Sequence, residues 1–313
     1  MRILVVGAGG IGGYVGGRLL AAGRDVTFLV RPARAQKLKE TGLVIRSPAG
    51  DLEWPNPPTV TADRLKTQFD LVILSCKAFD LESAIEASAP AFDSETLILP
   101  LLNGIRHLDV MEARFGAQAV LGGHCFISAT LDGQGHIRHF GELQNLSFGA
   151  RDGSVTPKIE AVVAALSGTG INVARSTEIL QEMWEKWVFI ATGACGTSLL
   201  RSTIGDIVAA GATDVVTDLL DECSAIAEKQ GYGPRPDATE RVRTMFTMPG
   251  SIFAASMFRD IQAGARIEAD HIVGDLLARG AGTATPTLRI ALAHLKTYET
   301  RRERELADAV AAL

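Results

Sequence analysis

Near the start of the chain, Gly7-Ala8-Gly9-Gly10-Ile11-Gly12 has the Gly-x-Gly-x-x-Gly spacing that lets backbone N–H groups cradle phosphate. In that spacing the first glycine makes a tight turn. The second leaves room for a pyrophosphate to approach, and the third lets a helix pack closely on a strand. A merely tight turn has the same pattern, so the flanking residues matter. Ile3–Val6 is an unbroken apolar run of the kind buried on both faces of a parallel sheet, and Ile11–Ala22 reads as a helix stopped by Gly23. Asp25–Val30 is a second buried strand that closes a βαβ unit. Phosphates would rest on the unpaired N–H groups and positive end of that helix. A site for NAD usually carries Asp or Glu after the second strand, to hold the ribose 2′-hydroxyl. Here Arg31 stands there, with Arg34 and Lys37 close behind. A carboxylate repels a 2′-phosphate and a guanidinium grips it, so NADP(H) is expected. A solvated loop arginine is the plain alternative for Arg31.

Transfer of a hydride to a carbonyl leaves a negative oxygen that an acid must protonate. Lys186, in Met183-Trp184-Glu185-Lys186-Trp187-Val188-Phe189-Ile190, is the only cation inside a long apolar helical run. Desolvation favours the neutral form of such a lysine and suits it to proton transfer; a lysine snorkelling out between tryptophans fits the same pattern. Two further candidates end strands. Asp70–Ser75 runs into Cys76-Lys77, and Thr96–Leu99 runs through Pro100, expected to end its pairing, to Asn103-Gly104. Open α/β sheets bind ligands at the carboxyl ends of their strands, so Gly7–Gly12, Arg31, Lys77 and Asn103 are expected along one crevice. A surface lysine and a turn asparagine are the plain alternatives. Ser256 and Glu268 fall in Ser256-Met257-Phe258-Arg259-Asp260-Ile261 and Arg266-Ile267-Glu268-Ala269-Asp270. The first could bind a carboxylate and the second could pair with a lysine or touch the cofactor; a helix serine and a helix-start glutamate read equally well.

The elements that must position these residues divide the chain in two. Residues 1–175 read as an α/β dinucleotide-binding domain of Rossmann type. Leu43–Arg46 is a short strand, followed by a surface loop through Pro48, Pro55, Pro57 and Pro58. Leu81–Ala89 is helical. Ala119–Gly122, Phe126–Leu131, His136–His139 and Leu146–Phe148 read as short strands in meander order, then Val155–Leu166 as a helix and Ile171–Ala174 as a strand. Residues 176–313 show only helical periodicity. The helices are Glu178–Leu200, a cap at Thr203–Asp206, Thr213–Gln230, Asp237–Phe246, Ser251–Gln262, Ile267–Arg279 and Thr287–Leu313.

Composition narrows the class. The chain has 313 residues, 47% hydrophobic and 21% charged, which is ordinary for a globular protein with two cores. A net charge of −5 argues against a nucleic-acid partner, and no apolar run approaches a membrane span. The N-terminus reads as a core strand rather than a signal peptide, so a cytoplasmic location is expected. Cys76, Cys125, Cys195 and Cys223 are scattered and read as reduced, mostly buried thiols. His136 and His139 flank a strand, and no metal-site pattern is present.

Taken together, these motifs resemble the ketopantoate reductase (2-dehydropantoate 2-reductase) family over essentially the whole chain. The matching features are the glycine motif with Arg31, Lys77, Asn103-Gly104, Trp184-x-Lys186, Ser256-Met257, Asp260 and Ile267-Glu268. The resemblance implies that Lys186 is the general acid protonating the C2 oxygen of a 2-oxo acid. It implies that Glu268 contacts the cofactor side and orients the lysine, and that Asn103 touches the nicotinamide end and helps position substrate. Ser256 would hold a substrate carboxylate or hydroxyl. Arg31 and Lys77 would bind the NADP phosphate and ribose, and Ser128 would offer backbone to the cofactor. Where the family carries asparagines four and eight residues beyond the lysine and just before a helix-ending glycine, this chain has Ile190, Ala194 and Ile204. Thr192, Thr197, Ser198 and Thr203 are the nearby hydroxyls that could stand in. The expected partner is a small 2-oxo acid, 2-dehydropantoate first, and a homodimer is an assembly open to the chain. A different, more apolar 2-oxo acid, or a non-catalytic NADP-binding sensor, are the rival readings.

Overall fold

The computed structural model describes residues 1–311, which divide into two compact units, one from Met1 to Leu180 and one from Gln181 onward. The first begins with β1 (Arg2–Val6), α1 (Gly10–Ala21), β2 (Asp25–Leu29), α2 (Pro32–Thr41), β3 (Leu43–Arg46), β4 (Leu52–Trp54) and β5 (Thr59–Val60). It continues with β6 (Leu71–Leu74), α3 (Leu81–Ser88), β7 (Leu97–Pro100), α4 (Arg106–Phe115), β8 (Gly122–Leu131), β9 (Ile137–Gly149), α5 (Pro157–Leu166) and β10 (Asn172–Arg175). Parallel pairing in the order β5-β2-β1-β6-β7 makes the first sheet. Its strands are apolar because both faces are covered; Ile3, Leu4, Val5, Leu71, Val72, Ile73 and Leu74 are fully buried.

The second sheet, β10-β9-β3-β4 with β8 on β9, departs from the expected meander. The four short strands are two long ones, ten and thirteen residues, paired antiparallel with a register shift between Ile127 and Ser128. Polar residues such as Thr130, Arg138 and Asn145 interrupt the apolar pattern without interrupting the ladder, because they face solvent. Of Ala119–Gly122, only Gly122 belongs to β8, and Val120 makes a single bridge to Ile98. The proline-rich stretch, expected as loop, contributes β4 and β5. Pro100 is inside β7 opposite Leu74, and pairing continues with Leu101 N–H donating to the Leu74 carbonyl at 2.8 Å. Alternate amides of the strand point opposite ways, so the proline nitrogen faces away from β6 and no ladder bond is lost.

The second unit is helical: α6 (Ile179–Leu200), which starts in the first unit's last residues, α7 (Ile204–Ala209), α8 (Thr213–Lys229), α9 (Pro236–Phe246) and α10 (Ser256–Gln262). A π-helical turn at Asp270–Gly274 leads into α11 (Asp275–Arg279), and α12 (Pro286–Ala311) completes the described chain. Ala312 and Leu313, the end of the expected last helix, lie outside the described residues. Residues 251–255 and 267–268 are not helical, so two expected helices begin later than their periodicity implied. The stop after α6 is the expected one: Thr203 and Asp206 form a reciprocal capping box. Among the described residues no helix is long and apolar enough to cross a membrane.

Candidate functional site

In the first unit, four parallel strands deliver four candidates to one edge of the sheet. Gly7 follows β1, Arg31 follows β2, Lys77 follows β6 and Asn103 lies shortly after β7. Gly7 has φ +94°, a left-handed conformation that glycine adopts without strain. A Cβ on Gly12 would lie 2.1 Å from Ser75 Oγ and 2.2 Å from the Gly7 carbonyl oxygen, so only glycine lets α1 pack this closely. A Cβ on Gly10 would lie 2.2 Å from the Ala129 carbonyl oxygen, because β8 crosses the start of α1 there. A Cβ on Gly9 would meet nothing within 4 Å. The N-terminus of α1 has no side-chain cap and no acidic residue in its first turn. An open glycine face on an uncapped, acid-free helix start suits a dinucleotide diphosphate.

Arg31 caps α2 from outside, and its exposed guanidinium pairs with Asp80 at 2.8 Å. The sequence held no hint of that partner, 49 residues away. Arg34 turns inward instead. Its Nε donates to the Ala8 carbonyl at 3.0 Å and its Nη1 to the Gly135 carbonyl at 2.9 Å, and burial holds its pKa below the ordinary arginine value. Lys77 is exposed and Asn103 half-buried. Ser128 is exposed on β8, opposite Phe140 and beside the register shift; its neighbour Ala129 is the residue that meets Gly10.

In the second unit, the residues around Lys186 are each held by a separate contact. Trp184 stacks on Tyr232 with ring centroids 5.7 Å apart. Glu185 accepts from Arg235 Nε at 2.7 Å, Arg235 Nη2 at 2.8 Å and the Arg235 amide at 3.0 Å. Burial pushes the Glu185 carboxyl up, but the bonds from Arg235 and Gln181 outweigh it and hold its pKa below the usual carboxylate value. Trp187 Nε1 donates to the Ile272 carbonyl at 2.9 Å, inside the π-helical turn, while the Ile272 amide donates back to the Glu268 carbonyl at 3.0 Å. The Trp-Glu-Lys-Trp stretch is thereby fixed next to the segment that carries Glu268, which is half-buried. Lys186 itself is only 9% exposed.

Ile190 and Ala194 follow Lys186 by one and two turns, half-buried and buried respectively. Ser256 is exposed as the first residue of α10, and the amide before it, Ala255, reaches Thr197 Oγ1 on α6 at 3.4 Å. Ile204 is fully buried in a cluster with Ile207, Val216 and Phe246, so it is a core residue. Of the hydroxyls that could replace the absent asparagines, Thr197 also donates to the Gly193 carbonyl at 2.6 Å and Thr203 belongs to the capping box. Thr192 adjoins the Cys223 thiol, whose pKa burial pushes up to about 12. Ser198 Oγ is buried with no hydrogen-bond partner among the described residues. The four cysteines are thiols rather than half-cystines, three of them buried. Among the described residues, no group of three or more His, Cys, Asp or Glu could hold a metal ion.

The family pattern described as "Ketopantoate reductase PanE/ApbA" matches residues 3–153, and its C-terminal companion, "Ketopantoate reductase PanE/ApbA C terminal", matches residues 178–299. The chain belongs to the ketopantoate reductase family. It is 40% identical over 306 residues to the uncharacterized oxidoreductase YkpB of Bacillus subtilis (strain 168), covering 96% of this chain and all of that protein. To the 2-dehydropantoate 2-reductase of Lactococcus lactis subsp. lactis (strain IL1403) it is 30% identical over 306 residues, covering 91% of this chain and 94% of that one. Among solved structures, the 2-dehydropantoate 2-reductase of Methylococcus capsulatus superposes with a TM-score of 0.85 at 27% identity, covering 96% of this chain and 98% of that one. Membership of this family makes the chain an oxidoreductase acting on CH–OH with a nicotinamide dinucleotide as cofactor, and the open glycine face on α1 fits that cofactor's diphosphate.

Proposed function

We propose that this ketopantoate reductase family member reduces a 2-oxo acid to the 2-hydroxy acid with NADPH, the substrate being 2-dehydropantoate and the product pantoate. That step leads toward pantothenate and coenzyme A. The observation that carries the reading is Lys186, a buried lysine on α6 whose neighbours Trp184, Glu185 and Trp187 are each fixed by a contact of their own. The bound dinucleotide supplies a hydride to the carbonyl carbon. Gly7, Ala8, Gly9, Gly10, Ile11 and Gly12 form the loop that holds its diphosphate, through amides at the start of α1 because the Gly7 amide is bonded to the Leu29 carbonyl, and Arg31 and Lys77 hold the 2′-phosphate and ribose. Asn103 and the Ser128 backbone position the nicotinamide end. Lys186 Nζ holds the C2 oxygen by hydrogen bond and gives it a proton. Glu268, on a segment that Trp187 anchors to α6, orients that ammonium. Ser256 holds the carboxylate.

The second reading is the same chemistry on a more apolar 2-oxo acid. Ile190 and Ala194 favour it, because neither offers a hydrogen bond to a distal hydroxyl, and an unmade bond discriminates more strongly than a missing methylene. Both readings are tested by Lys186→Ala. Turnover should fall by about 10²–10⁴-fold, the usual contribution of general acid catalysis, while NADPH still binds. A variant with near-normal kcat removes Lys186 from the mechanism.

A further inference from the structure

We propose that Arg34 is a positioning residue for the cofactor: it fixes the Ala8–Gly9 peptide so that the Gly9 N–H faces the diphosphate. A trans peptide is planar, with its C=O and N–H pointing in opposite directions, and the described chain has no cis peptide. The Ala8 carbonyl points at Arg34 Nε, 3.0 Å away. The Gly9 N–H on the same peptide therefore points away from Arg34, and the space around Gly9 is open, since a Cβ there would meet nothing within 4 Å. Ala8 is 3% exposed, so without Arg34 its carbonyl loses its partner away from water and the peptide has reason to flip. A flip would present an oxygen, not an amide, to an anion.

Arg34 also ties this peptide to the tip of the β8–β9 ribbon. Its Nη1 donates to the Gly135 carbonyl at 2.9 Å, and Gly135 itself, at φ +83°, packs so tightly that a Cβ there would lie 2.9 Å from the same nitrogen. Gly10 meets the same ribbon at Ala129. The ribbon thus backs the glycine loop at two points, and Arg34 is the polar one. Arg31 acts differently: it is exposed after β2 and its guanidinium pairs with Asp80. Loss of Arg34 should weaken every ligand that carries the diphosphate, whereas loss of Arg31 should weaken only those that carry the 2′-phosphate.

This rests on the reading of Gly7–Gly12 as the dinucleotide loop. The test measures binding to the full chain, without substrate, of NADPH and NADH by nicotinamide fluorescence and of adenosine 2′-monophosphate by calorimetry. Arg34→Met should weaken NADPH and NADH by the same factor, about tenfold, and leave adenosine 2′-monophosphate unchanged. Arg34→Lys keeps a charge that can reach one carbonyl and should fall in between; it makes the same comparison if Arg34→Met does not fold. A loss confined to NADPH makes Arg34 a direct 2′-phosphate ligand and overturns the proposal. Equal loss of all three ligands makes its role general to the unit's fold, and no loss removes it altogether; either result overturns the proposal too. Wild-type protein that binds neither dinucleotide would sink the reading of the loop itself, whereas wild type that binds with unaltered variants sinks only Arg34.

Discussion

Arg31 and Asp80 form an exposed pair 2.8 Å apart at the end of β2, and exposed pairs contribute little to stability. The arginine is therefore free, energetically, to exchange Asp80 for a phosphate. Arg31→Ala should weaken NADPH roughly ten- to a hundredfold and barely change NADH, the range expected for one charge-assisted bond of about 1.5–3 kcal/mol. Equal loss for both dinucleotides, read by fluorescence titration, would contradict this. Glu185 makes a pH prediction. Its folded pKa lies below the unfolded one, so its stabilising contribution is complete above the ordinary glutamate value and disappears as pH falls through the folded pKa. Glu185→Gln should destabilise the second unit by about 1–3 kcal/mol at neutral pH. The gap to wild type, followed by thermal melts, should narrow as pH falls below the ordinary glutamate value; a gap that is constant or widens in acid would contradict the assignment. Arg31 and Lys186 were legible as residue types at telling positions. Their neighbours were not, because Asp80 and Arg235 come into place only through folding over 49 and 50 residues of chain.

Among the elements, α1 and its loop make the sharpest contrast. A Cβ on Gly9 enters open space and its φ is −84°, so Gly9→Ala should fold with an unchanged Tm yet lose dinucleotide affinity. A Cβ on Gly12 collides with Ser75 and the Gly7 carbonyl, so Gly12→Ala should cost about 1–3 kcal/mol as overpacking does. Melting curves and NADPH titrations on the two variants check both halves; a destabilised Gly9→Ala would contradict the first. The βαβ unit was readable because strand period, glycine spacing and helix stop agreed with one another. The β8–β9 ribbon was not, since its solvent-facing polar residues and the shift at Ile127/Ser128 look like strand ends. Pro100 misled for a related reason: sequence shows the missing N–H but not which way it points. The π-helical turn at Asp270–Gly274, which receives the Trp187 bond, leaves no mark in apolar periodicity.

On the scale of the whole molecule, the candidate residues divide between a parallel α/β unit, which holds the glycine loop, Arg31, Lys77 and Asn103, and a helical unit, which holds Lys186, Ser256 and Glu268. Their order was legible from the change of periodicity near the start of α6. Substrate identity was less so, because it depends on a few α6 side chains at which this chain leaves its family's pattern. Ile204 is occupied in the core, and Thr197 and Thr203 are committed to local bonds, which leaves the buried hydroxyls of Thr192 and Ser198 as the nearby groups not bonded among the described residues. Ile190→Asn should lower the KM for 2-dehydropantoate several-fold, as one bond of about 0.5–1.5 kcal/mol allows, without a matching gain on an analogue lacking the distal hydroxyl.

The most direct measurement is kcat/KM for oxidation of NADPH, followed by nicotinamide absorbance, with 2-dehydropantoate and with 2-oxo acids that lack its hydroxyl. Turnover should occur with 2-oxo acids, prefer NADPH to NADH and disappear in Lys186→Ala. Saturable NADPH binding with no turnover of any 2-oxo acid, or turnover that survives loss of Lys186, would contradict the proposed reaction.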